Sequence, residues 1–131
     1  MAGLPLSAWQ RMAFARGVDL ILAGESVLGQ SASTIARLCG DLDATTTAAL
    51  RERLFGMLGP GVRMLIIDLS AVSFRDAAGL AVLISTQRRA AERRITFRLA
   101  APAPQTAKLL RVTGLDRCLT ICATLADART E

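Results

Sequence analysis

Met64-Leu-Ile-Ile-Asp-Leu-Ser-Ala-Val-Ser-Phe-Arg-Asp-Ala-Ala-Gly-Leu-Ala-Val-Leu-Ile84 passes from a continuous apolar run, through a short polar connection, into a second apolar run. The first half predicts a strand over Arg63 to Leu69, of the kind buried on both faces or central in a parallel sheet. The second half predicts a helix from Ala77 to about Arg93, with Asp76 as its N-cap. The first turn of that helix is exposed and lacks bulky side chains. Its free N–H groups point outward with the positive end of the helix dipole behind them, which suits a phosphate or a partner protein. A hydroxyl would be useful at Ala77 and Ala78, and neither carries one.

At about 100° per residue, Leu80, Leu83, Ile84, Gln87 and Ala91 fall on one side of this helix, the expected core face. Ala78, Val82, Ser85, Thr86 and Arg89 fall opposite. Val82 then becomes an apolar residue on an outward stripe beside the bare helix start, and Gly79 lets another backbone come close. A single exposed valine needs no explanation. A small docking patch for another protein is the other reading, and the helical wheel alone leaves both open.

Working outward, Ser7 to Gln10 spells S-x-x-Q, a weak capping box, with Trp9, Met12 and Ala13 at helical spacing. Residues 1–16 therefore read as an N-terminal extension with a short amphipathic helix, and residues 17–131 as the domain proper. Val18 to Ala23 and Ser33 to Cys39 are strand-like, joined by the turn-rich Gly24 to Ser31. Asp43 is a suitable N-cap for a helix over Ala44 to Leu58, with Leu50, Leu54, Met57 and Leu58 as its stripe, stopped by Gly59-Pro60-Gly61. After the central helix come a strand (Ile95 to Ala100), a helix opened by Pro102 and Pro104 and closed by Gly114, and a strand over Cys118 to Cys122. A helical turn at Leu125 to Arg129 ends the pattern. Two strands followed by strand–helix alternation define the expected class: a single small α/β domain with a mixed, mostly parallel sheet of four to five strands and about four helices.

Composition narrows the function. A chain of 131 residues is one ordinary domain. No apolar run reaches the roughly 18 residues a bilayer span needs, because Asp68, Arg75 and Asp76 interrupt the longest candidates. Arg11, Arg16 and Asp19 break any secretory pattern, so a cytoplasmic location without membrane insertion is expected. Cys118 and Cys122, four apart in a strand, would lie about 13 Å from each other, beyond the roughly 7 Å of a disulfide. With Cys39 they are expected to be reduced, buried thiols. The absence of histidine excludes His-based catalysis and mixed zinc sites. The net charge of +5 comes from arginines whose one cluster, Arg88-Arg89 and Arg93-Arg94, lacks aromatic platforms, which argues for a solvated helix face and against nucleic acid. No nucleophile–base pair, metal cluster or phosphate-cradling glycine loop stands out. Asp41, Asp43 and Asp68 could meet at one end of the sheet as magnesium ligands do, but caps and loop hydrogen bonds account for them better.

Leu69-Ser-Ala-Val-Ser-Phe-Arg-Asp-Ala-Ala-Gly-Leu-Ala-Val-Leu83 resembles the signature of STAS domains, and specifically of bacterial anti-sigma factor antagonists. Those read approximately hydrophobic-D-L-S-x-V-x-F-hydrophobic-D-S-S-G-L-x-V-L. Gly40-Asp-Leu-Asp43 resembles the family's G-E-L-D, and Leu110-Arg-Val-Thr-Gly-Leu-Asp-Arg117 its L-x-x-x-G-L-D-R. Order and spacing agree over roughly Val18 to Ala128. The resemblance implies a regulatory binding module without catalysis, cofactor or metal. Its partner would be an anti-sigma factor of the serine-kinase type, bound so that a sigma factor is released. Phosphorylation of the second serine of D-S-S-G, which disrupts docking in the family, falls at Ala78, with Ala77 before it. The implied partner surface is Phe74, Arg75, Asp76, Ala77, Ala78 and Gly79 with the outward residues Val82 and Arg89. Arg75 replaces an apolar family residue and could pair with Asp76 or with a partner carboxylate. Ser70, Ser73, Ser85 and Thr86 are nearby hydroxyls, none at the matching position. A homodimer is compatible with this reading. The other class the resemblance allows is an adaptor or scaffold subunit, as in signalling complexes or lipid-transport ATPases.

Overall fold

Parallel strands joined by helices need crossovers of one hand, so a sheet built outward in sequence order collects its crossover helices on one face. This chain obeys that logic. The computed structural model describes the backbone of residues 9–15, 18–26 and 32–129 and the side chains of 33–129. Strands β1 (Trp9–Ala15), β2 (Val18–Ser26), β3 (Ala32–Leu42), β4 (Val62–Phe74), β5 (Thr96–Ala100) and β6 (Thr120–Cys122) lie in the order β1-β2-β3-β4-β5-β6. The first three pair antiparallel, and β3 through β6 run parallel. Helices α1 (Thr47–Gly56), α2 (Ala77–Glu92) and α3 (Pro104–Val112) make the three parallel crossovers, and α4 (Leu125–Arg129) ends the described chain.

The strand period of two divides the core. Leu65, Ile67 and Leu69 of β4 join Ala36, Leu38, Leu50, Leu54, Leu83 and Leu110 in the main cluster, under the three crossover helices. Met64 and Ile66 point the other way and meet Ile35, Ala100 and Ala128 of α4. Where a strand is buried on both sides it is apolar at successive positions, which is why Met64 to Ile67 of β4 read as a continuous run. Its one buried charge, Asp68, accepts from Arg37 Nε at 2.9 Å and from the Ser70 amide at 2.9 Å. These bonds sit where the β3–β4 register shifts, between Arg37↔Asp68 and Cys39↔Ala71.

The class expected from the sequence holds, with the four parallel strands and four helices in place. The N-terminal helix does not. Trp9–Ala15 is a strand paired antiparallel to β2, which brings the sheet to six strands. Seven residues are marginal as an isolated helix, and the β2 edge, only Arg16 and Gly17 away in sequence, supplies ladder partners. The Ser7–Ala8 part of the capping box and most of the turn over Gly24 to Ser31 lie outside the described residues. Asp43 is not the cap of α1. Thr46 occupies that position, while Asp43 accepts from the amide and hydroxyl of Thr45. The last strand begins only at Thr120, and Cys118, which closes a 3-10 turn over Leu115–Arg117, is exposed rather than the buried thiol expected.

The largest correction concerns α2. Its buried residues are Gly79, Leu80, Val82, Leu83, Thr86 and Ala90, so the arc is turned by roughly one residue from the expected one. Val82 and Thr86, expected outside, are fully buried, whereas Ala91 is exposed and Ile84 and Gln87 half-buried. Residues 80–84 are all apolar, so the wheel fixes the core side only loosely. Packing decides it: the small side chains of Gly79, Val82 and Ala90 let the helix close on the core. The Thr86 hydroxyl donates to the Val82 carbonyl at 2.8 Å, which satisfies it without water.

The two orientations are separable by experiment. Val82→Asp places an unpaired carboxylate in the main cluster and is expected to destabilise by more than about 4 kcal/mol. Ala81→Asp, on the exposed side, is expected to stay within about 0.5 kcal/mol of wild type. Urea unfolding of the two variants checks this, and the reverse ranking would restore the outward Val82.

Candidate functional site

The end of the sheet where β3 and β4 finish is built from two distant pieces of sequence. Parallel pairing carries the strands to Asp41↔Ser73 and Leu42↔Phe74. Further hydrogen bonds tie the chain together beyond these pairs. Ser73 Oγ donates to Asp41 Oδ1, and Arg75 Nη2 donates to Asp41 Oδ2 at 3.1 Å. The Arg75 amide donates to the Leu42 carbonyl at 2.8 Å. Finally, Asp76 uses both oxygens: Oδ1 accepts from the Ala78 amide at 2.9 Å, capping α2, and Oδ2 from the Ala44 amide at 3.0 Å. The expected cap therefore does more than start a helix. It ties that start to the loop before α1.

On this frame α2 presents Ala77 exposed and Ala78 half-buried, with Arg75 and Asp76 exposed before them. The expected set is thus brought together from Phe74 to Gly79, and two members leave it. Val82 is sealed in the core. Arg89 lies twelve residues along the helix from Ala77, about 18 Å away, with its guanidinium 4.7 Å from the centre of the Phe55 ring. Val82 therefore packs helix against core, and Arg89 packs α2 against α1. Arg75 pairs with Asp41 and not with Asp76, whose oxygens are taken by amides. Gly79 is needed for an internal reason rather than for a partner's backbone: a Cβ there would stand 2.7 Å from Phe74 Cδ2 and 3.5 Å from Leu42 Cβ.

Sequence reasoning misses Asp41, Ser73 and Ala44 as members of this surface. The Gly40–Asp43 motif is visible, but nothing in one sequence says that it zips to Ser73–Asp76. Asp68, read as a possible companion of Asp41 and Asp43, is engaged by Arg37 instead, and among the described residues no group of three or more acidic or thiol side chains could hold a metal ion. Three of the four nearby hydroxyls are occupied, Ser73 by Asp41, Ser85 by the Ala81 carbonyl and Thr86 by the Val82 carbonyl; the fourth residue, Ser70, is exposed.

The Ser73 hydroxyl and then the Arg75 guanidinium hold the Asp41 carboxyl below its ordinary 3.8, and Thr45 does the same for Asp43. Asp41, Asp43 and Asp76 thus gather at this end of a basic chain, with Arg75 bonded to Asp41. Beside it, between the end of β4 and the start of α3, opens a cleft of about 430 Å³ lined in part by Val72, Ser73, Phe74, Pro104 and Leu109.

The chain matches the STAS domain over residues 25–128 and belongs to the STAS domain family. Among its relatives is the anti-sigma-F factor antagonist RsfB of Mycobacterium tuberculosis, 30% identical over 105 residues, covering 80% of this chain and 85% of the relative. An anti-sigma factor antagonist from Mycobacterium paratuberculosis superposes with a TM-score of 0.68 at 28% identity, over 83% of this chain and 90% of the other. Unphosphorylated SpoIIAA shares the fold, with a TM-score of 0.64 at 22% identity over 82% and 91% of the two chains. Among the described residues no helix is long and apolar enough to cross a membrane.

Two measurements test the local geometry. Gly79→Ala is expected to destabilise by about 1–3 kcal/mol through the Phe74 ring, with most of that effect absent in a Phe74→Ala background, as a double-mutant cycle in urea would show. For pH, the lowered carboxyls stabilise the fold above their unfolded value and lose that contribution as pH falls through the folded one, so the contribution is constant at neutral pH and changes only below about pH 4. Asp41→Asn is expected to lower the neutral plateau of the melting-temperature profile and to converge with wild type at the acid end, which flattens the acid limb.

Proposed function

We propose that this protein is a cytoplasmic, non-catalytic antagonist that docks on an anti-sigma factor of the serine-kinase type through the start of α2, and so releases a sigma factor. It would do so without the usual phosphoserine switch, with Ala78 standing where the family carries its phosphorylated serine. The observation that supports this best is the helix start itself. Asp76 fixes Ala77 and Ala78 at an exposed corner, with no side-chain oxygen to accept a phosphoryl group. The named antagonists among its relatives support the general role.

Physical chemistry favours the site as a switchable surface in relatives and a fixed one here. A phosphate adds about −1.5 to −2 charges and three oxygens to a patch that must lose water on docking. This chain already places Asp41, Asp43 and Asp76 there, so a further dianion would be strongly felt. With alanine the surface stays permanently competent, and control passes to the amounts of the two proteins.

Two substitutions test the reading against the serine-kinase-type anti-sigma factors of the same cell. Ala78→Glu is expected to weaken binding at least about tenfold, or about 1.4 kcal/mol, with little change in thermal stability, because an acidic side chain there also faces the positive helix end. Equal affinity in a calorimetric titration would place the partner elsewhere. Ala78→Ser is expected to restore phosphate incorporation from ATP by the kinase. A variant that stays unlabelled while still binding would mean that kinase recognition requires more than the hydroxyl.

A further inference from the structure

We propose that the docking surface continues from the α2 start across Phe74 into the cleft between β4 and α3, and that the cleft takes an apolar side chain of the anti-sigma factor carried beside a cationic residue that faces Asp41 and Asp43. This inference rests on the docking reading above and names what that partner must present.

The cleft and the acidic corner are two sides of one strand end. Ser73 lines the cleft and its hydroxyl is bonded to Asp41, while Phe74 lines the cleft and its ring lies against Gly79 at the start of α2. Phe74 is thus shared between the start of α2 and the wall of the cleft. At about 430 Å³ the space falls in the range of ordinary binding pockets, roughly 300–1,000 Å³, with ample room for one large side chain.

The chemistry of the walls selects the occupant. Val72, Phe74, Pro104 and Leu109 supply apolar surface, and none of the lining residues is charged. The lining hydroxyls have partners already: Ser73 on Asp41, and Thr106 directed to the Val72 carbonyl at 3.5 Å. A phosphate-bearing small molecule would need a cation that these walls do not contain. An apolar anchor needs only shape and exclusion of water.

The α3 surface gives a second, separate sign. Val112 is 74% exposed, the one large hydrophobic residue among those described that stands in solvent. It lies three positions after Leu109 and seven after Gln105, so all three share a side of α3. Leu109 and Val112 thus carry apolar surface from the cleft along the helix, with the polar Gln105 at its start and exposed Lys108 and Arg111 on its flanks.

Charge gives the orientation. The chain carries +5 overall, yet Asp41, Asp43 and Asp76 cluster beside the cleft with Arg75 as their one neighbouring cation, and Arg75 is committed to Asp41. A cationic residue on the partner, next to its apolar anchor, complements that corner.

The test is a titration of the full chain with the purified serine-kinase-type anti-sigma factor of the same organism, alongside a thermal melt of each variant. Val112→Glu, on the exposed end of the strip, and Ala103→Phe, which fills the cleft mouth, are each expected to weaken binding about tenfold or more. Val112→Glu should leave the melt unchanged, so it decides the matter if Ala103→Phe proves unstable. Asp43→Lys should weaken binding as well, and binding by wild type should fall with added salt. Wild-type affinity in Val112→Glu and Ala103→Phe, together with weakened binding in Ala78→Glu, would overturn the cleft and leave helix-start docking intact. Failure of the wild-type chain to bind at all would overturn both.

Discussion

The carboxylate of Asp76 joins two segments that the chain order keeps 32 residues apart. One oxygen starts α2 and the other holds the loop before α1, so the exposed corner is a property of the pair and not of either helix. A single carboxylate can do this because each oxygen has lone pairs to spare and both donors are backbone amides that need a partner in any case. The neighbouring Asp41 repeats the device with side chains, accepting from Ser73 and Arg75. The two aspartates come from opposite members of the strand pair, so each piece positions the other.

That arrangement depends in turn on β3 and β4 staying in register to their ends. Parallel pairing over so long a strand accumulates twist, and the ladder changes step twice, at Ala32/Ser33 and beside Asp68. Asp68 is buried, yet it is ionically paired to Arg37 and bonded to the Ser70 amide, which compensates its loss of water. The charge thus sits where the ladder changes step, a few residues before the strand delivers Ser73, Phe74 and Arg75 to the surface.

Much of this is legible in one sequence, and the failures have specific causes. The stop at Gly59–Gly61, the cap at Asp76, and α3 between Pro104 and Gly114 come from local chemistry, and each lies where that chemistry puts it; β4 begins as expected but runs on from Leu69 to Phe74, because pairing with β3 continues through Asp41↔Ser73 and Leu42↔Phe74. The first strand reads wrongly as a helix because seven residues can satisfy both a helical spacing and a strand alternation, and only the free edge of β2 chooses between them. The rotation of α2 escapes the wheel because five successive apolar residues leave it almost undetermined. Thr86 goes to the wrong side with Val82 on the wheel, and its burial is tolerated because the carbonyl of Val82 one turn earlier accepts from its hydroxyl. The site is half visible. Phe74 to Gly79 is contiguous, so a motif reveals it, whereas Asp41 and Ala44 join through pairing that no motif spells.

Moving Val82 from the surface to the core changes where an interface can lie more than whether one exists. With an outward Val82 the apolar part of a docking patch would run down α2, toward Arg89. The observed packing closes that path, since α2 leaves at its start only a short alanine-bearing turn and then exposed Ala81. Alanines exclude little water and anchor nothing, so on the docking reading affinity has to be found to one side of them. On the α1 side stand Asp41, Asp43 and the Thr45 hydroxyl, which are polar and already engaged in hydrogen bonds. On the other side stands Phe74, half-buried, with Leu109 and Val112 beyond it. The apolar surface that Val82 was expected to supply is therefore replaced by surface on a different helix, reached across the ring that Gly79 makes room for.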